Sequence, residues 1–326
     1  MVMILRFSLL YVLSALGLTA YLHADFTQLL TDALLAAATI GQAIFGLWIW
    51  LVPIGVAGIF LLGREHMRGR IRPILAVFVA SVALQVGFVF FKGAIPRLLP
   101  YYADPDLARV DLWLHGGVAP WQWLHWLLPN GIGTFPAEAY LNLWSVPAMG
   151  FPILIVATET DRARMIRFLW LFFGSWFVLG NIIALLGSSV GPVYYDRLMG
   201  GDTFAALTAA LKSSGISDGP IGYLQNLLWS HYAAGGTKLN LGISAFPSMH
   251  VAVATITMLY LWERSKWLRV PGVLFLLGIV FLSVYSGFHY AVDGYFSFAA
   301  VLLGNWAIKR RMAPAADATI LRPIAA

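Results

Sequence analysis

The chain has 326 residues, of which 60% are hydrophobic and 11% charged, and it carries a formal charge of +6 with no cysteine. A soluble domain has about 25% charged residues, so this chain lacks the charge to cover a water-facing surface of its size. High hydrophobicity excludes intrinsic disorder. The absence of cysteine excludes a disulfide scaffold, a thiolate metal site and a cysteine nucleophile. The composition indicates a polytopic membrane protein.

Apolar runs near the length that crosses a bilayer, about 20 residues, recur along the chain. They predict an all-α fold, a polytopic membrane helix bundle with about eight transmembrane helices. In chain order, the predicted spans are 5–23, 37–62, 73–91, 139–157, 166–190, 247–263, 270–286 and 290–308. No clear small-residue cleavage site follows the first run, which favours an uncleaved anchor over a signal peptide.

The basic residues predict the orientation of this bundle. Fifteen of the 21 Lys and Arg residues lie at the start of the first span, after the last span, or at the connections of the second span to the third, the fourth to the fifth and the sixth to the seventh. Because cytoplasmic connections are enriched in basic residues, we expect both termini in the cytoplasm. We expect an integral protein of the cell (inner) membrane, and we interpret the positive charge as a topology signal and not as a nucleic-acid surface.

The long connections 92–138 and 191–246 then face outward. The stretch 120–129 holds Trp121, Trp123 and Trp126, which suits a helix lying in the membrane interface. An aromatic belt that anchors the neighbouring spans is the interpretation we favour. The second connection is richer in Gly and Ser, and we interpret it as a lid or platform over the outer face.

The first chemical motif, SAFPSMH, covers Ser244 to His250 at the start of the sixth span. Pro247 is typical of a first helical turn and Ser244 of a helix cap. A helix N-terminus presents free N–H groups and a partial positive charge, so it can hold phosphate. Ser248 adds a hydroxyl donor, and His250 follows one turn later.

The second motif, SGFHYAVD, enters the eighth span and contains His289 and Asp293. Residues four apart stack on one face of a helix. A carboxylate that holds one imidazole nitrogen makes the other nitrogen a better base or nucleophile. Asp293 is the sole acidic residue placed inside a predicted span, where charge is costly, and it therefore needs a partner.

The two motifs are expected to meet. His250 and His289 lie at the outer ends of spans that are separated by one helical hairpin, and an antiparallel hairpin returns the chain to the same membrane surface. The sequence therefore predicts a site at the outer face that contains His250, His289 and Asp293.

At these residues the chain resembles a known family. FPSMH followed by GFHYAVD is similar to the second and third signature motifs of the type 2 phosphatidic-acid phosphatase superfamily. The HYxxD form, preceded by AFPSMH, most resembles the branch that contains the inositol phosphorylceramide synthases. The segments 111–120 (DLWLHGGVAP) and 191–195 (GPVYY) look like weaker marks of that branch.

The resemblance implies a domain division and a mechanism. Residues 1–72 would form two N-terminal transmembrane helices, 73–312 the catalytic membrane domain and 313–326 a cytoplasmic tail. His289 would be a nucleophile that forms a phosphohistidine, Asp293 its orienting carboxylate and His250 the general acid and base, with Ser248 holding phosphate oxygens. Phosphoryl transfer mainly requires positioning and charge stabilisation. We expect no metal and no cofactor.

Two departures from the family pattern concern the positive charges. Lys92 is followed by Arg97 five residues later where the family pairs Lys with an Arg-Pro seven later, and Ser283 stands where the third motif usually has Arg. We therefore assign phosphate binding to Lys92 and Arg97. The alternatives are snorkelling roles for these two residues and phosphate contacts from the outer-loop residues Arg197, Lys238 or His231.

The leading hypothesis is a membrane-embedded lipid phosphatase or phosphotransferase that acts on a lipid phosphate at the outer leaflet. Water or a lipid alcohol would be the acceptor, and the transferred group can be a phospho-headgroup such as phosphoinositol. The alternative from another class is a transporter or channel that uses the His/Asp cluster as a proton or ion site. A third reading is a noncatalytic assembly protein that keeps the fold. The oligomeric state is unknown.

Overall fold

The structure is a computed structural model that describes residues 1–22, 26–46, 56, 63–133, 139–234 and 242–312. This part of the chain is helical and contains no strand, which confirms the all-α membrane bundle. The α-helices, numbered in chain order, are α1 (Val2–Leu22), α2 (Phe26–Gly46), α3 (Arg64–Leu98), α4 (Asp104–Leu114), α5 (Pro120–Leu127), α6 (Trp144–Thr158), α7 (Arg162–Phe177), α8 (Ala184–Leu186), α9 (Pro192–Met199), α10 (Ala205–Ser213), α11 (Pro220–Ala233), α12 (Met249–Arg264), α13 (Arg269–Tyr285) and α14 (Ala291–Met312).

Two π-helical segments interrupt this pattern. One, Ala139–Leu143, leads into α6, and the other, Val178–Ile183, joins α7 to α8 so that helix continues from Arg162 to Leu186. Segments of π-helix are rare and occur often at functional sites.

Seven helices of the described residues are long and apolar enough to cross a membrane. They correspond to the predicted spans except the sixth, because α12 has 16 residues and is about 24 Å long at 1.5 Å per residue. The count of eight spans and the cytoplasmic location of both termini therefore stay predictions. Residues 313–326, the predicted tail, lie outside the described part of the chain.

The predicted second span, 37–62, begins too late. Helix α2 already begins at Phe26, although the predicted spans leave residues 24–36 between the first and the second span. The helix accommodates these residues because Thr31 Oγ1 donates to the carbonyl of Thr27 across 3.0 Å. Asp32 consequently lies inside a candidate span, so Asp293 is not the sole acidic residue there. Most of the predicted stretch beyond Gly46 falls outside the described residues.

Four apolar clusters form among the described residues, and the two largest hold most of the bundle. Helices α1, α3, α6, α7 and α12 contribute the larger core, and α5, α10, α12 and α13 contribute the second. A helix is observed in the stretch 120–129, as α5, with Trp121 buried and Trp126 exposed, and its location in the membrane interface stays a prediction. Residues 192–233 of the outer connection form α9, α10 and α11.

Charged side chains meet at one end of the bundle. Arg167 donates to Glu263, the Lys309 ammonium lies 2.8 Å from the same carboxylate, and Arg164 pairs with the fully buried Glu159 at 3.3 Å. By the positive-inside prediction this end is cytoplasmic. Since α12 runs from His250 to Glu263, the histidines lie at the other end, about 20 Å away along the helix.

Candidate active site

A cavity of about 340 Å³ opens at the end of the bundle opposite the charged cluster. His250, His289 and Lys92 line it together with a mostly apolar set of side chains. Helices α3, α7, α11 and α12 contribute to the wall, as do the π-helical turn before α6 and the turn before α14. We call this the histidine cavity. It brings the two sequence motifs together, as the helical-hairpin argument predicted.

His289 and Asp293 form the centre of the site. Nδ1 of His289 donates to Oδ2 of Asp293 across 3.2 Å, and the backbone N–H of Tyr290 donates to the same oxygen at 3.2 Å. Asp293 is 0% exposed and His289 6% exposed. With Nδ1 protonated, Nε2 of His289 keeps its lone pair. The expected pairing is present, although His289 lies in the turn before α14 and not on the helix face.

His250 lies in the first turn of α12, and its ring centroid is 5.8 Å from that of His289. Two aromatic rings contact it: Tyr140 stacks on it at 4.8 Å, and Trp144 lies 4.2 Å away. Trp144 Nε1 also donates to the backbone carbonyl of His250 at 3.2 Å. The sequence analysis missed both aromatic residues, because aromatic side chains make up 14% of the chain and these two carry no distinguishing signal.

Ser248 has a structural role in addition to the phosphate contact predicted for its hydroxyl, which stays a prediction. It is the N-cap of α12, its Oγ accepts from the backbone N–H of Val251 at 3.4 Å, and it is 0% exposed. The expected cap at Ser244 and first-turn position for Pro247 are therefore wrong, because the helix begins at Met249. The backbone N–H of Ser248 donates to the carbonyl of Asp293 at 3.3 Å, which joins the two motifs directly.

The two cations assigned to phosphate lie in different places. Lys92 lines the histidine cavity, whereas Arg97 is exposed near the end of α3 and is not part of the described lining. Among the outer-loop alternatives, Arg197 covers the ring of Trp229 and lines a separate pocket of about 100 Å³. His231 does not belong to the described lining of the histidine cavity, and Lys238 lies outside the described residues.

Asp104 organises the backbone around the site and was not singled out from the sequence. It is 0% exposed and accepts from the Ser189 hydroxyl (2.8 Å), the amides of Val190 and Gly191 (both 2.9 Å) and the Tyr290 hydroxyl (3.2 Å). These four hydrogen bonds compensate the free-energy cost of removing the carboxylate from water. In sequence, an Asp in an outer connection is indistinguishable from a solvated one.

The segment 189–193 lies between the two motifs. The Ala245 amide donates to the carbonyl of Ser189, and the Val193 amide donates to the carbonyl of Gly287, both at 2.9 Å. Gly191 has φ +86°, and a Cβ there would overlap the carbonyl oxygen of Phe288, so glycine is required on both counts. The weaker family motif at 191–195 thus begins at a glycine whose backbone lies against the segment that carries His289.

The other weak mark, 111–120, is connected to α14. Asp111 Oδ1 accepts from the backbone N–H of Val292 at 3.0 Å, and His115 Nε2 lies 3.0 Å from the Tyr295 hydroxyl. Burial raises the pKa of the Asp111 carboxyl from its ordinary value, and the hydrogen bonds from the amides of Val292 and Ala291 oppose that rise. These contacts fix the first turn of α14, which carries Asp293.

Comparison with known proteins agrees with this arrangement. A family model described as PAP2 superfamily matches residues 105–307, more than half of the chain. The chain belongs to the PAP2 superfamily. No curated protein and no solved structure among those compared matches it significantly.

Membership of the PAP2 superfamily assigns this chain to enzymes of the phosphatase and phosphotransferase kind that act on lipid phosphates in membranes. The match gives no support to the transporter alternative. The matched residues include both histidines and Asp293 but begin after Lys92, so α3 adds a cation to the histidine cavity from outside the matched residues. Within the described residues, no three His, Asp or Glu side chains are grouped so as to hold a metal ion.

Proposed function

We propose that this PAP2 superfamily protein transfers the phosphoryl group of a lipid phosphate ester through a phosphohistidine at His289. The observation that carries the proposal is the contact between His289 and Asp293 in a cavity that also holds His250. An oriented imidazole with a free Nε2 is a nucleophile, and a second imidazole, whose ring centroid lies 5.8 Å away, is close enough to act as its acid and base partner.

In the first step, the Nε2 lone pair of His289 attacks phosphorus. The N–P bond forms as the P–O bond to the leaving group breaks, and protonated His250 gives its proton to the departing oxygen. Asp293 stabilises the positive imidazole ring that results. Lys92 is the cation of the described lining that can neutralise charge on the phosphoryl oxygens.

In the second step, neutral His250 accepts a proton from the acceptor oxygen, which attacks phosphorus while the N–P bond breaks. Water as acceptor gives a hydrolase, and a lipid alcohol gives a transferase. A phospho-headgroup such as phosphoinositol can be transferred in the same way, as the resemblance to the inositol phosphorylceramide synthases implies.

The lining of the histidine cavity supports a lipid substrate. Phe88, Val89, Leu224 and Leu228 place apolar side chains beside the polar groups, as expected for a ligand with a charged head and a hydrocarbon body. With the orientation predicted from the basic residues, the cavity faces the extracytoplasmic side. We place the catalytic domain at 73–312, with residues 1–72 as two additional N-terminal spans.

The test is to trap the covalent intermediate with ³²P-labelled phosphatidic acid in detergent micelles. We expect label on the wild-type protein that is stable in base and lost in acid, as an N–P bond requires. The label should be absent from His289→Gln and retained by His231→Gln, which alters a histidine outside the cavity. Acid-stable label, or label that persists in His289→Gln, would contradict the assignment of the nucleophile.

A second assay separates transferase from hydrolase. The purified protein receives phosphatidylinositol with or without ceramide or diacylglycerol as the acceptor. Formation of a phosphoinositol-bearing product that depends on the acceptor supports the transferase, and release of the free phosphorylated headgroup alone rules it out. Unchanged turnover of every lipid phosphate in His289→Ala would refute the assignment of His289 as the nucleophile.

A further inference from the structure

The histidine cavity contains hydrogen-bond donors that the proposed mechanism does not use. Tyr140 lines it and is 0% exposed, and its hydroxyl has no hydrogen-bond partner among the described residues. Trp176 lines it as well, and its Nε1 is likewise buried without a partner in the described structure. A buried polar group without a partner is destabilising, so such groups call for an explanation.

The location of Tyr140 suggests what its hydroxyl binds. Its ring is nearly parallel to that of His250, at 18° and 4.8 Å, and it also stacks on Phe288, at 6.4 Å, the residue before His289. Tyr140 therefore lies against both segments that carry the histidines. The π-helical segment Ala139–Leu143 provides this position, since it includes Tyr140 and leads directly to Trp144.

The chemistry of these two unused groups, taken together with Lys92, restricts the ligand. The indole N–H of Trp176 and the ammonium of Lys92 only donate hydrogen bonds, and the Tyr140 hydroxyl can donate one. The matching ligand group must present several acceptor oxygens and needs no donor of its own. A phosphate group fits this description, whereas a hydroxylated headgroup brings donors of its own that these three groups do not require.

We propose that the Tyr140 hydroxyl donates a hydrogen bond to an oxygen atom of the substrate's phosphate group, beside the bond that forms or breaks at His289. This rests on the proposed function of the cavity, and it makes Tyr140 a phosphate-binding residue that acts together with Lys92. The stacked ring holds His250 next to the same phosphate, so one side chain binds the substrate and packs against the proton donor.

The experiment compares Tyr140→Phe with the wild-type full-length chain in detergent micelles, using inorganic phosphate as the probe. The substitution keeps the stacked ring and removes only the hydroxyl. We expect the dissociation constant for phosphate, measured by calorimetry, to rise about tenfold, since hydrogen bonds to charged groups are the stronger class. Tyr223→Phe, which removes a hydroxyl from an exposed side chain of α11, should bind phosphate like the wild type.

Thermal unfolding without phosphate provides the second readout. If the hydroxyl has no partner in the protein, Tyr140→Phe should unfold at the same temperature as the wild type or at a higher one. A clearly lower unfolding temperature would reveal an internal partner and overturn the proposal, as would an unchanged phosphate affinity.

The outcome is separable from that of the proposed function. A wild-type protein that forms the phosphohistidine while Tyr140→Phe binds phosphate normally would refute the role of Tyr140 alone. A wild-type protein that forms no phosphohistidine but binds phosphate more tightly than Tyr140→Phe would keep the binding site and refute the covalent step.

Discussion

The carboxylate of Asp104 accepts a hydrogen bond from the hydroxyl of Tyr290 across 3.2 Å, although 186 residues separate the two in the chain. The backbone amide of Tyr290 in turn donates to Asp293, the carboxylate that orients His289. Asp104 is thus connected through Tyr290 and Asp293 to the proposed nucleophile, and it also holds the segment 189–191 against the site.

Asp104→Ala should destabilise the protein and lower its activity. The substitution leaves four donors without their acceptor in a buried place, and we expect a loss of more than about 3 kcal/mol, because each unsatisfied buried group costs about 1–3 kcal/mol. Thermal unfolding followed by tryptophan fluorescence measures this. Asp106→Ala, in the same helix, removes an exposed ion pair with Arg109 and should change stability by less than about 1 kcal/mol. Equal shifts for the two variants would refute the role of Asp104.

Asp293→Asn should reduce kcat by at least about 100-fold, because the carboxylate selects the Nδ1-protonated form of His289 and stabilises the charged ring. The amide has nearly the same shape but cannot provide that charge. Steady-state turnover of a lipid phosphate measures the effect, with the exposed Asp218→Asn as a matched control that should keep wild-type turnover. Retention of more than a tenth of the activity by Asp293→Asn would argue against an orienting role.

Lys92→Met should lower turnover by roughly 100-fold, since it removes the ammonium that lines the histidine cavity and the charge stabilisation it can give there. Arg97→Met removes a cation of the same helix that is exposed and outside the described lining. The comparison of kcat/KM for the two variants decides which of the predicted residues serves the phosphate. A larger loss in Arg97→Met than in Lys92→Met would reverse the assignment.

Gly191→Ala should destabilise the protein more than Gly200→Ala. Both positions have positive φ, +86° and +77°, so alanine is strained by about 1–2 kcal/mol at each. A Cβ at 191 would in addition overlap the Phe288 carbonyl oxygen, whereas the space around 200 is open. Unfolding temperatures of the two variants isolate the steric contribution, and it is absent if the temperatures coincide.

The charged cluster at the other end should affect stability without affecting catalysis. Arg167→Ala leaves Glu263 without its best-buried partner and also removes the 2.7 Å hydrogen bond to Asn305, a loss of about 3 kcal/mol for a broken buried pair. Lys309→Ala removes an exposed partner of the same carboxylate and should cost about 1 kcal/mol or less. Turnover measured well below the unfolding temperature should stay at the wild-type level in both, and a selective loss of turnover would show coupling between the two ends.

The spans show where reading the sequence succeeds and where it fails. Long apolar runs identified most of the membrane helices, because a segment can cross the lipid when about 20 consecutive residues are mostly apolar, and this is visible in the local sequence. The second span was misplaced for the same reason: polar residues such as Asp32 lower local hydropathy without preventing a helix. The prediction that Ser244 caps α12 was also wrong, and Ser248 is the N-cap. The position of the cap depends on how the chain before the helix packs.

By itself the sequence determined the class of protein and the residues of the two motifs, because both depend on short stretches of the chain. The composition of each apolar run shows that it lies in lipid and not in water, and the spacing within the second motif places His289 near Asp293. Only the tertiary structure decided that Tyr140 and Trp144 contact His250, that Asp104 holds the segment beside the site, and that Lys92 and not Arg97 lines the cavity. The contacting residues lie from 85 to 110 positions apart in the chain, and the location of Lys92 depends on which face of its helix turns inward. They arise from packing between helices, which no single stretch of sequence encodes.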